Sequence, residues 1–218
     1  MDAIPPNAVQ YVPVVMAEIR QYWPTIVEPA FIFAQVEQET CPSLKHKKCW
    51  NPKTENINQK NNAEYGWGLG QLTNTNKYNN FEEVTHKYAG LKTWKWEDRF
   101  NPTYQIRTLI YMDKNSYQVF KNAEELNRFA FALSAYNGGL GGVLTDRKYC
   151  AQFKECDPEI WEGHVETHSR KARTNLGGYR ISAYQINREY VYNIMNVRFQ
   201  KYQAFIKNAE TLSPKTSE

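Results

Sequence analysis

Residues 31–42 read FIFAQVEQETCP, and this stretch determines both the fold and a candidate site. Its apolar residues predict a buried helix, which Pro42 must end because proline cannot donate into the helical ladder and disfavours helix in the residue before it. Ile32, Val36 and Glu39 stand at i, i+4 and i+7, so they share one helical stripe. The pattern therefore places a carboxyl group on the buried face, in the last turn.

Glu39 is accordingly a candidate general acid. Burial raises the pKa of a carboxyl group, and so does the negative end of a helix dipole. A carboxyl group that stays protonated near neutral pH can donate a proton. Glu37, about 200° around the same helix, is expected to face solvent. The alternative is that Glu39 is an ordinary charge at a helix end, as most such carboxylates are.

Composition predicts a single globular domain. The chain has 218 residues, of which 41% are hydrophobic and 14% aromatic, enough to bury a core. The formal charge of +4 is too small to indicate a nucleic-acid binder. No stretch is apolar for long enough to insert in a membrane. The N-terminal segment lacks a basic region before its apolar residues, so it does not predict a secretory signal.

Hydrophobic periodicity predicts a mainly α chain. The expected helices run from an N-cap at Asn7 to about Tyr22, from Glu28-Pro29 to the end of the opening stretch, from Asn101-Pro102 to Phe120, from Ala123 to Tyr136, briefly after Gly141-Gly142, and from about Ile181 to Ile206. Leu126 and Val197 are expected on inner faces. Residues 42–65 predict a long polar loop or small hairpin. The tail from Lys207 is expected to be loose, which divides the chain into a domain at 1–206 and a tail at 207–218.

The cysteines and histidines indicate no metal. The four cysteines form two pairs that are close in sequence, Cys41 with Cys49 and Cys150 with Cys156. Each pair can close a local loop, but three connectivities and free thiols all stay open. His164 and His168 do not match the zinc metalloprotease helix, because the glutamate follows two residues after the first histidine. We expect neither a metal nor another cofactor.

Residues 65–73 read YGWGLGQLT, with glycines at three alternating positions. Glycine lets a backbone approach a ligand closely. The segment is not a phosphate loop, because it lacks the terminal Lys-Ser/Thr. A plain glycine-rich turn is the alternative.

Three segments in order resemble the lytic transglycosylase and goose-type lysozyme family. They are Gln38-Glu39-Thr40, Gly68-Leu69-Gly70-Gln71-Leu72 and Ala132-Leu133-Ser134-Ala135-Tyr136-Asn137-Gly138-Gly139. The family pattern is Glu-Ser at a helix end, then G-L-M-Q, then A-x-A-Y-N-x-G. Tyr190-Val191 matches a Tyr-Val pair on the family's final helix. The resemblance covers residues 30–200, is weak at 43–63 and 145–180, and also extends to phage-encoded members.

The resemblance implies a lysozyme-like domain that cleaves the β-1,4 bond between N-acetylmuramic acid and N-acetylglucosamine in peptidoglycan. Glu39 would protonate the glycosidic oxygen and then, as carboxylate, take the proton of the muramyl C6 hydroxyl, closing a 1,6-anhydro ring. The implied substrate-binding residues are Thr40, Gly68, Leu69, Gln71, Tyr136, Asn137 and Tyr190. We expect a monomer that binds glycan strands, with no nucleic acid and no membrane insertion.

Departures from the family pattern favour transglycosylation over hydrolysis. Goose-type hydrolases carry two aspartates that correspond to Thr73 and Asn62 here, and neither residue can act as a carboxylate base. Glu64 and Glu55 lie nearby in sequence and stay open as substitutes. Gly70 stands where the family often has Met, which is expected to widen the cleft wall or leave room for a tryptophan, Trp67.

Three alternatives to a transglycosylase stay open. They are a goose-type muramidase, a non-catalytic wall-binding or virion protein of the same fold, and, more distantly, a zinc amidase. We expect a protein made in the cytoplasm that reaches the periplasmic cell wall through a separately made membrane hole of the holin type, or by injection.

Overall fold

The computed structural model describes residues 3–60, 63–174 and 179–212, with side chains to residue 209, and it confirms the mainly α prediction. The helices are α1 (Pro6–Tyr22), α2 (Ala30–Thr40), α3 (Asn80–Lys87), α4 (Pro102–Val119), α5 (Glu125–Gly138), α6 (Leu140–Cys150), α7 (Ala183–Tyr192) and α8 (Phe199–Leu212). Short 3₁₀ turns occupy Ala89–Leu91 and Trp96–Asp98, and a kinked π turn occupies Trp161–Val165. None of the described helices is apolar over enough of its length to cross a bilayer.

Helix α2 lies at the centre of the core. Phe31 stacks between two rings, with centroid distances of 4.3 Å to Phe129 of α5 and 4.2 Å to Phe199 of α8. Phe33, on the same helix, packs 5.8 Å from the Tyr202 ring of α8. Because aromatic side chains bury large apolar areas, these contacts fix α2 between its neighbours. The buried helix predicted for the opening stretch is present.

The expectation that Glu37 faces solvent is wrong. Its side chain lies against α8 and the turn before α8, and the residue is only 2% exposed. The carboxylate accepts hydrogen bonds from Lys201 Nζ at 2.7 Å and Tyr202 OH at 2.6 Å, and it lies 3.5 Å from Arg198 Nε. A buried carboxylate requires such partners. Helix α2 is therefore enclosed on the side that periodicity assigned to water.

A π-helical turn at Asn193–Arg198 joins α7 to α8, where an unbroken helix was expected. A π turn holds more residues than an α turn, so it shifts the register of the residues after it. Val197, expected inside, is 48% exposed for this reason. The helix then continues to Leu212, beyond the boundary expected at Ile206. The rest of the predicted tail, 213–218, lies outside the described residues.

Two other local expectations are wrong. Asn7 is not an N-cap, because α1 begins at Pro6 and the Asn7 amide donates instead to the Cys49 carbonyl at 3.2 Å. Helix α5 begins at Glu125, which places Leu126 in its first turn, where it is 58% exposed.

The predicted hairpin is present and belongs to a small antiparallel sheet. Its strands are β1 (Glu55–Asn58), β2 (Glu64–Trp67) and β3 (Leu72–Asn74), in that order. In the register, Trp67 lies opposite Glu55 on one side and Leu72 on the other. Trp67 and Leu72 form a second apolar cluster with Val84, Leu91 and Trp94. This cluster holds the sheet beside the helical core.

Both cysteine pairs form local disulfides. Cys41–Cys49 ties the end of α2 to the following loop, and Cys150–Cys156 closes the loop after α6. In the chain-entropy model each short loop contributes on the order of 2–3 kcal/mol. The first disulfide therefore helps to hold the end of α2, where Glu39 lies, against the segment that leads to the sheet.

Candidate active site

A cleft of about 1050 Å³, the main cleft, runs between the sheet and the helical core. Its walls come from the β1–β2 hairpin, β3, α3, α4 and the end of α5, and Glu39 lines it. A second cavity of about 300 Å³, the side cavity, is also lined by Glu39. Asn56 of β1 is the other residue that lines both. Glu39 therefore lies where the two spaces meet.

Glu39 has the properties expected of a general acid. Burial raises the pKa of its carboxyl group from 4.5 to about 8, because an apolar environment disfavours the carboxylate. Tyr190 of α7 donates a hydrogen bond to Oε1 at 2.5 Å, which favours the carboxylate and partly opposes that rise. With a pKa of about 8, roughly nine-tenths of the molecules carry the proton at pH 7. The tyrosine orients the acid without adding a charge.

Tyr136 and Asn137, at the end of α5, line the main cleft with Glu39. The Tyr136 hydroxyl donates to the Gly70 carbonyl at 2.5 Å, which joins α5 to the glycine-rich turn. Burial, and then the charge of Glu39, raise the pKa of Tyr136 well above its usual range. The Asn137 side-chain oxygen accepts from the Asn187 amide at 3.1 Å. The structure thus brings these two predicted residues to the acid.

The space at Gly70 is already occupied. A Cβ at this position would lie 2.7 Å from the Tyr136 hydroxyl and 3.3 Å from Leu109 Cδ1. Trp67 is buried in the second apolar cluster. The expectation that Gly70 widens the wall or makes room for Trp67 is therefore wrong. The glycine permits the close approach of Tyr136 instead.

Gln71 forms part of the cleft wall. Its backbone has φ +47°, in the left-handed region that residues other than glycine rarely adopt. Its Nε2 donates to the Gly68 carbonyl at 2.9 Å, and its Oε1 accepts from Asn56 Nδ2 at 2.8 Å. Asn56 in turn accepts from Lys48 Nζ at 2.6 Å. The amide at Gln71 is thus held by a polar chain that crosses from the sheet to the loop after α2.

Four predicted substrate-binding residues do not line the main cleft, and one of them is Tyr190, which is buried and donates to Glu39 from behind the cleft wall. Gly68 has φ +79°, and a Cβ there would lie 2.4 Å from the buried Gln105 side chain. Leu69 is fully buried. Thr40 is also buried, and its hydroxyl donates to the carbonyl four residues earlier at 2.7 Å and accepts from the Trp50 amide at 3.0 Å. These residues support the site from beneath, although Thr40 borders the side cavity.

Asp113 of α4 is a buried carboxyl group that the motifs did not indicate. It is 4% exposed, and Gln35 Nε2 lies 3.4 Å from its Oδ1. Burial, with the nearby charge of Glu39 adding to it, raises the pKa of Asp113 well above its usual range. The signal was available in the sequence, since Asp113 continues the stripe of Ile106 and Ile110 at i+7 and i+3.

The other acids near the cleft are held in different ways. Glu64 lines the cleft and accepts a hydrogen bond from the Tyr179 hydroxyl across it. Glu83 of α3 also lines it. Glu55 accepts from a tyrosine of the neighbouring strand and lies outside the cleft lining. Glu64 is thus the better placed of the two residues left open as a second carboxylate.

The positions that correspond to the hydrolase aspartates offer no carboxylate. Thr73 lines the cleft, and its hydroxyl donates to the Gln71 carbonyl at 2.9 Å. Asn62 lies outside the described residues. Among the residues that are described, no group of three or more His, Cys, Asp and Glu side chains could hold a metal ion.

No protein-family model matches the chain, and no curated protein is significantly similar to it. Function is therefore inferred from the chemistry of the cleft and from the motifs that line it. A protonated carboxyl group, oriented by a tyrosine in a large cleft lined by several side-chain amides, can transfer a proton to a bound ligand. The cleft is thus suited to acid catalysis on a polar ligand.

Proposed function

We propose that the protein is a peptidoglycan lytic transglycosylase of lysozyme-like fold, which cleaves glycan strands during lysis of a host cell wall. The observation that carries the proposal is Glu39, a carboxyl group with a pKa of about 8 that opens onto the main cleft. Tyr136, Asn137 and Gln71 of the family motifs line the same cleft. Their convergence supports the resemblance, because the motifs lie far apart in the chain.

In the proposed reaction Glu39 acts twice. As the acid it gives its proton to the glycosidic oxygen, the bond from that oxygen to the muramyl C1 breaks, and the N-acetylglucosamine portion leaves as an alcohol. As the carboxylate it then takes the proton of the muramyl C6 hydroxyl, whose oxygen bonds to C1. No water is consumed. The Tyr190 hydrogen bond at 2.5 Å stabilises the carboxylate between the two steps.

The cleft lining supports a glycan as the substrate. Its volume of about 1050 Å³ is at the upper end of the range for small-molecule pockets, as a polymer segment requires. Side-chain amides line it at Asn56, Asn58, Gln59, Gln71, Asn80, Asn115 and Asn137. An amide both donates and accepts hydrogen bonds, so it can pair with sugar hydroxyls and acetamido groups. The net charge of +4 favours an anionic wall polymer.

Transglycosylation is favoured over hydrolysis because the two positions that carry aspartates in the goose-type hydrolases hold no carboxyl group in this chain. Retaining and inverting glycosidases pair two carboxyl groups across the bond. Thr73 and Asn62, which stand at the positions of the hydrolase aspartates, supply none, and the other described acids that line the cleft are Glu64 and Glu83. A goose-type muramidase is the second candidate, because Glu64 does line the cleft and would then act as the base for water. An intramolecular attack by the C6 hydroxyl requires no such base.

The two disulfides support action outside a reducing cytoplasm, since disulfides persist in oxidising compartments such as the periplasm. We propose that the protein acts there as a monomer on glycan strands. A holin-type membrane hole or injection with a virion would each deliver it. The cavities and catalysis proposed here need only one copy of the chain.

The test is mass spectrometry of the products from purified peptidoglycan. We expect muropeptides that end in a 1,6-anhydro sugar, one water lighter than hydrolysis products. Reducing-end products alone would exclude the transglycosylase and leave the muramidase, in which case Glu64→Gln should abolish release. Glu39→Gln should remove nearly all activity, whereas the exposed Glu97→Gln should not. Full activity of Glu39→Gln would show that the site is misassigned.

A further inference from the structure

The side cavity has a different chemistry from the main cleft. It lies at the end of α2, and its lining includes Gln38, Lys48 and Arg198 together with Glu39 and Asn56. Its volume of about 300 Å³ is enough for a few bonded groups but not for a polymer segment. Because Glu39 lines both spaces, whatever occupies the side cavity lies next to the bond that Glu39 would protonate.

The charge around the side cavity is positive. Lys48 Nζ donates to the Glu55 carbonyl at 3.1 Å and to Asn56 Oδ1 at 2.6 Å, and neither acceptor carries a charge. Arg198 lies 3.5 Å from Glu37, but Glu37 is already paired with Lys201 at 2.7 Å.

Among the described residues that line the side cavity, Glu39 is the one acid. With its pKa raised to about 8, Glu39 is mostly neutral at pH 7. The single carboxylate of Glu37 is shared by Lys201 and Arg198, and neutral Glu39 adds no negative charge, so a net positive charge remains around Lys48 and Arg198. An anionic group would find favourable partners there.

Gln38 adds a directional requirement. Its side-chain oxygen is buried, and within the described part of the chain it has no hydrogen-bond partner. A buried acceptor without a donor is unfavourable by about 1–3 kcal/mol, so an N–H group brought by a ligand would stabilise it. The cavity thus offers an acceptor for an N–H group beside two cations for a carboxylate. A peptide with a free carboxylate presents both groups a few bonds apart.

We propose that the side cavity binds an acidic peptide attached to the glycan, with its carboxylate at Lys48 and Arg198 and a backbone N–H at Gln38. This inference rests on the proposed function, since peptidoglycan carries such peptides on its muramic acid. It makes the protein selective for peptide-bearing strands. Free glycan would occupy the main cleft alone and lose the contacts of the side cavity.

The test is ligand binding to the Glu39→Gln variant, which keeps the side cavity and should not consume ligand. Isothermal titration compares a disaccharide that carries its peptide with the same disaccharide without it. We expect the peptide to tighten binding at least about tenfold, as charge-assisted hydrogen bonds typically do. Adding Lys48→Gln or Arg198→Gln should remove most of that preference, and Lys48→Arg should retain it. Equal affinity for the two ligands overturns the proposal.

Lys53→Gln is the matched control, because Lys53 is an exposed lysine on the same loop and lines neither cavity. It should leave the preference unchanged, and a loss as large as with Lys48→Gln would also overturn the proposal. Thermal unfolding shows whether each variant is folded. If the variants with an added substitution do not fold, the comparison of the two ligands on the Glu39→Gln protein by itself tests the proposal.

Failure of the two proposals can be told apart with wild-type protein on intact strands and on strands stripped of peptide. Equal cleavage of both, with no preference in binding, removes the peptide site and leaves the transglycosylase. Selective binding of the peptide-bearing disaccharide without cleavage of either strand removes the transglycosylase and leaves a peptide-binding cavity.

Discussion

Replacing Glu39 with glutamine should make the protein more stable, and increasingly so as the pH rises. The folded protein holds the Glu39 proton with a pKa of about 8, against 4.5 for the unconstrained side chain. Between these pH values the folded state binds more protons than the unfolded state, so wild-type stability falls as the pH rises. Glutamine resembles the neutral acid, has no proton to lose, and can still accept from Tyr190.

The magnitude follows from the two pKa values. A rise from 4.5 to about 8 corresponds to about 5 kcal/mol of stability lost by pH 8 and regained at low pH. The difference between variant and wild type should therefore be near zero at pH 4 and approach that value above pH 8. Asp113, whose pKa is also raised, is present in both proteins, so its titration largely cancels in the difference.

The assay is urea unfolding followed by tryptophan fluorescence at pH values from 4 to 9. Glu97→Gln is the control, because Glu97 is exposed and outside both cavities. A stability difference that does not change with pH would refute the claim that burial keeps Glu39 protonated. A difference that grows at low pH would have the wrong sign and would indicate a carboxylate stabilised by the fold. Functional residues that are unfavourable for folding are common at active sites.

Four further substitutions test individual contacts in the structure. Tyr190→Phe removes the hydrogen bond that favours the carboxylate form of Glu39, so the pKa of Glu39 should rise. The alkaline limb of the pH–activity profile on peptidoglycan should then move up by about 1 pH unit, with lower activity. An alkaline limb that does not move would contradict this role of Tyr190. In urea unfolding, Gly68→Ala should destabilise the fold by about 2–4 kcal/mol because of its positive φ and buried neighbour. Gly141→Ala, with open space around it, should stabilise by about 0.5–1 kcal/mol. Glu37→Gln should destabilise the fold by about 3 kcal/mol by leaving the partly buried Lys201 and Arg198 without a carboxylate, and an unchanged midpoint would disprove that role.

The sequence predicted correctly the features that depend on the periodicity of a single helix. The stripe of Ile32, Val36 and Glu39 predicted an acid against the core, and in the structure the half-buried Glu39 has its pKa raised to about 8 by its surroundings. The same reasoning was wrong for Glu37, because periodicity within α2 carries no information about the element that packs on its opposite side. Lys201, on a helix more than 160 residues later, could not be placed there from local spacing.

The motifs predicted which segments lie at the main cleft better than they predicted which residues line it. Gln71 and Tyr136 do line the main cleft, but Gly68 and Leu69 of the same segment lie beneath it. A motif residue can bind the ligand itself, or it can position a neighbouring residue that binds the ligand. The spacing of the motif does not distinguish these two roles. Asp113 is the opposite case, because it belongs to no motif but follows Ile106 and Ile110 on one helical stripe, and an acid on an apolar stripe indicates a buried carboxyl group.

The number of residues in the π turn at Asn193–Arg198, rather than their side chains, determines which residues of α8 face helix α2. One continuous helical stretch carries both Tyr190, which contacts Glu39, and Tyr202, which contacts Glu37. In an unbroken α-helix, residues twelve apart point about 120° away from each other. Deleting one residue from this turn would rotate everything after it by about 100°. The contacts of Glu37 would then be lost although no residue lining the main cleft had changed.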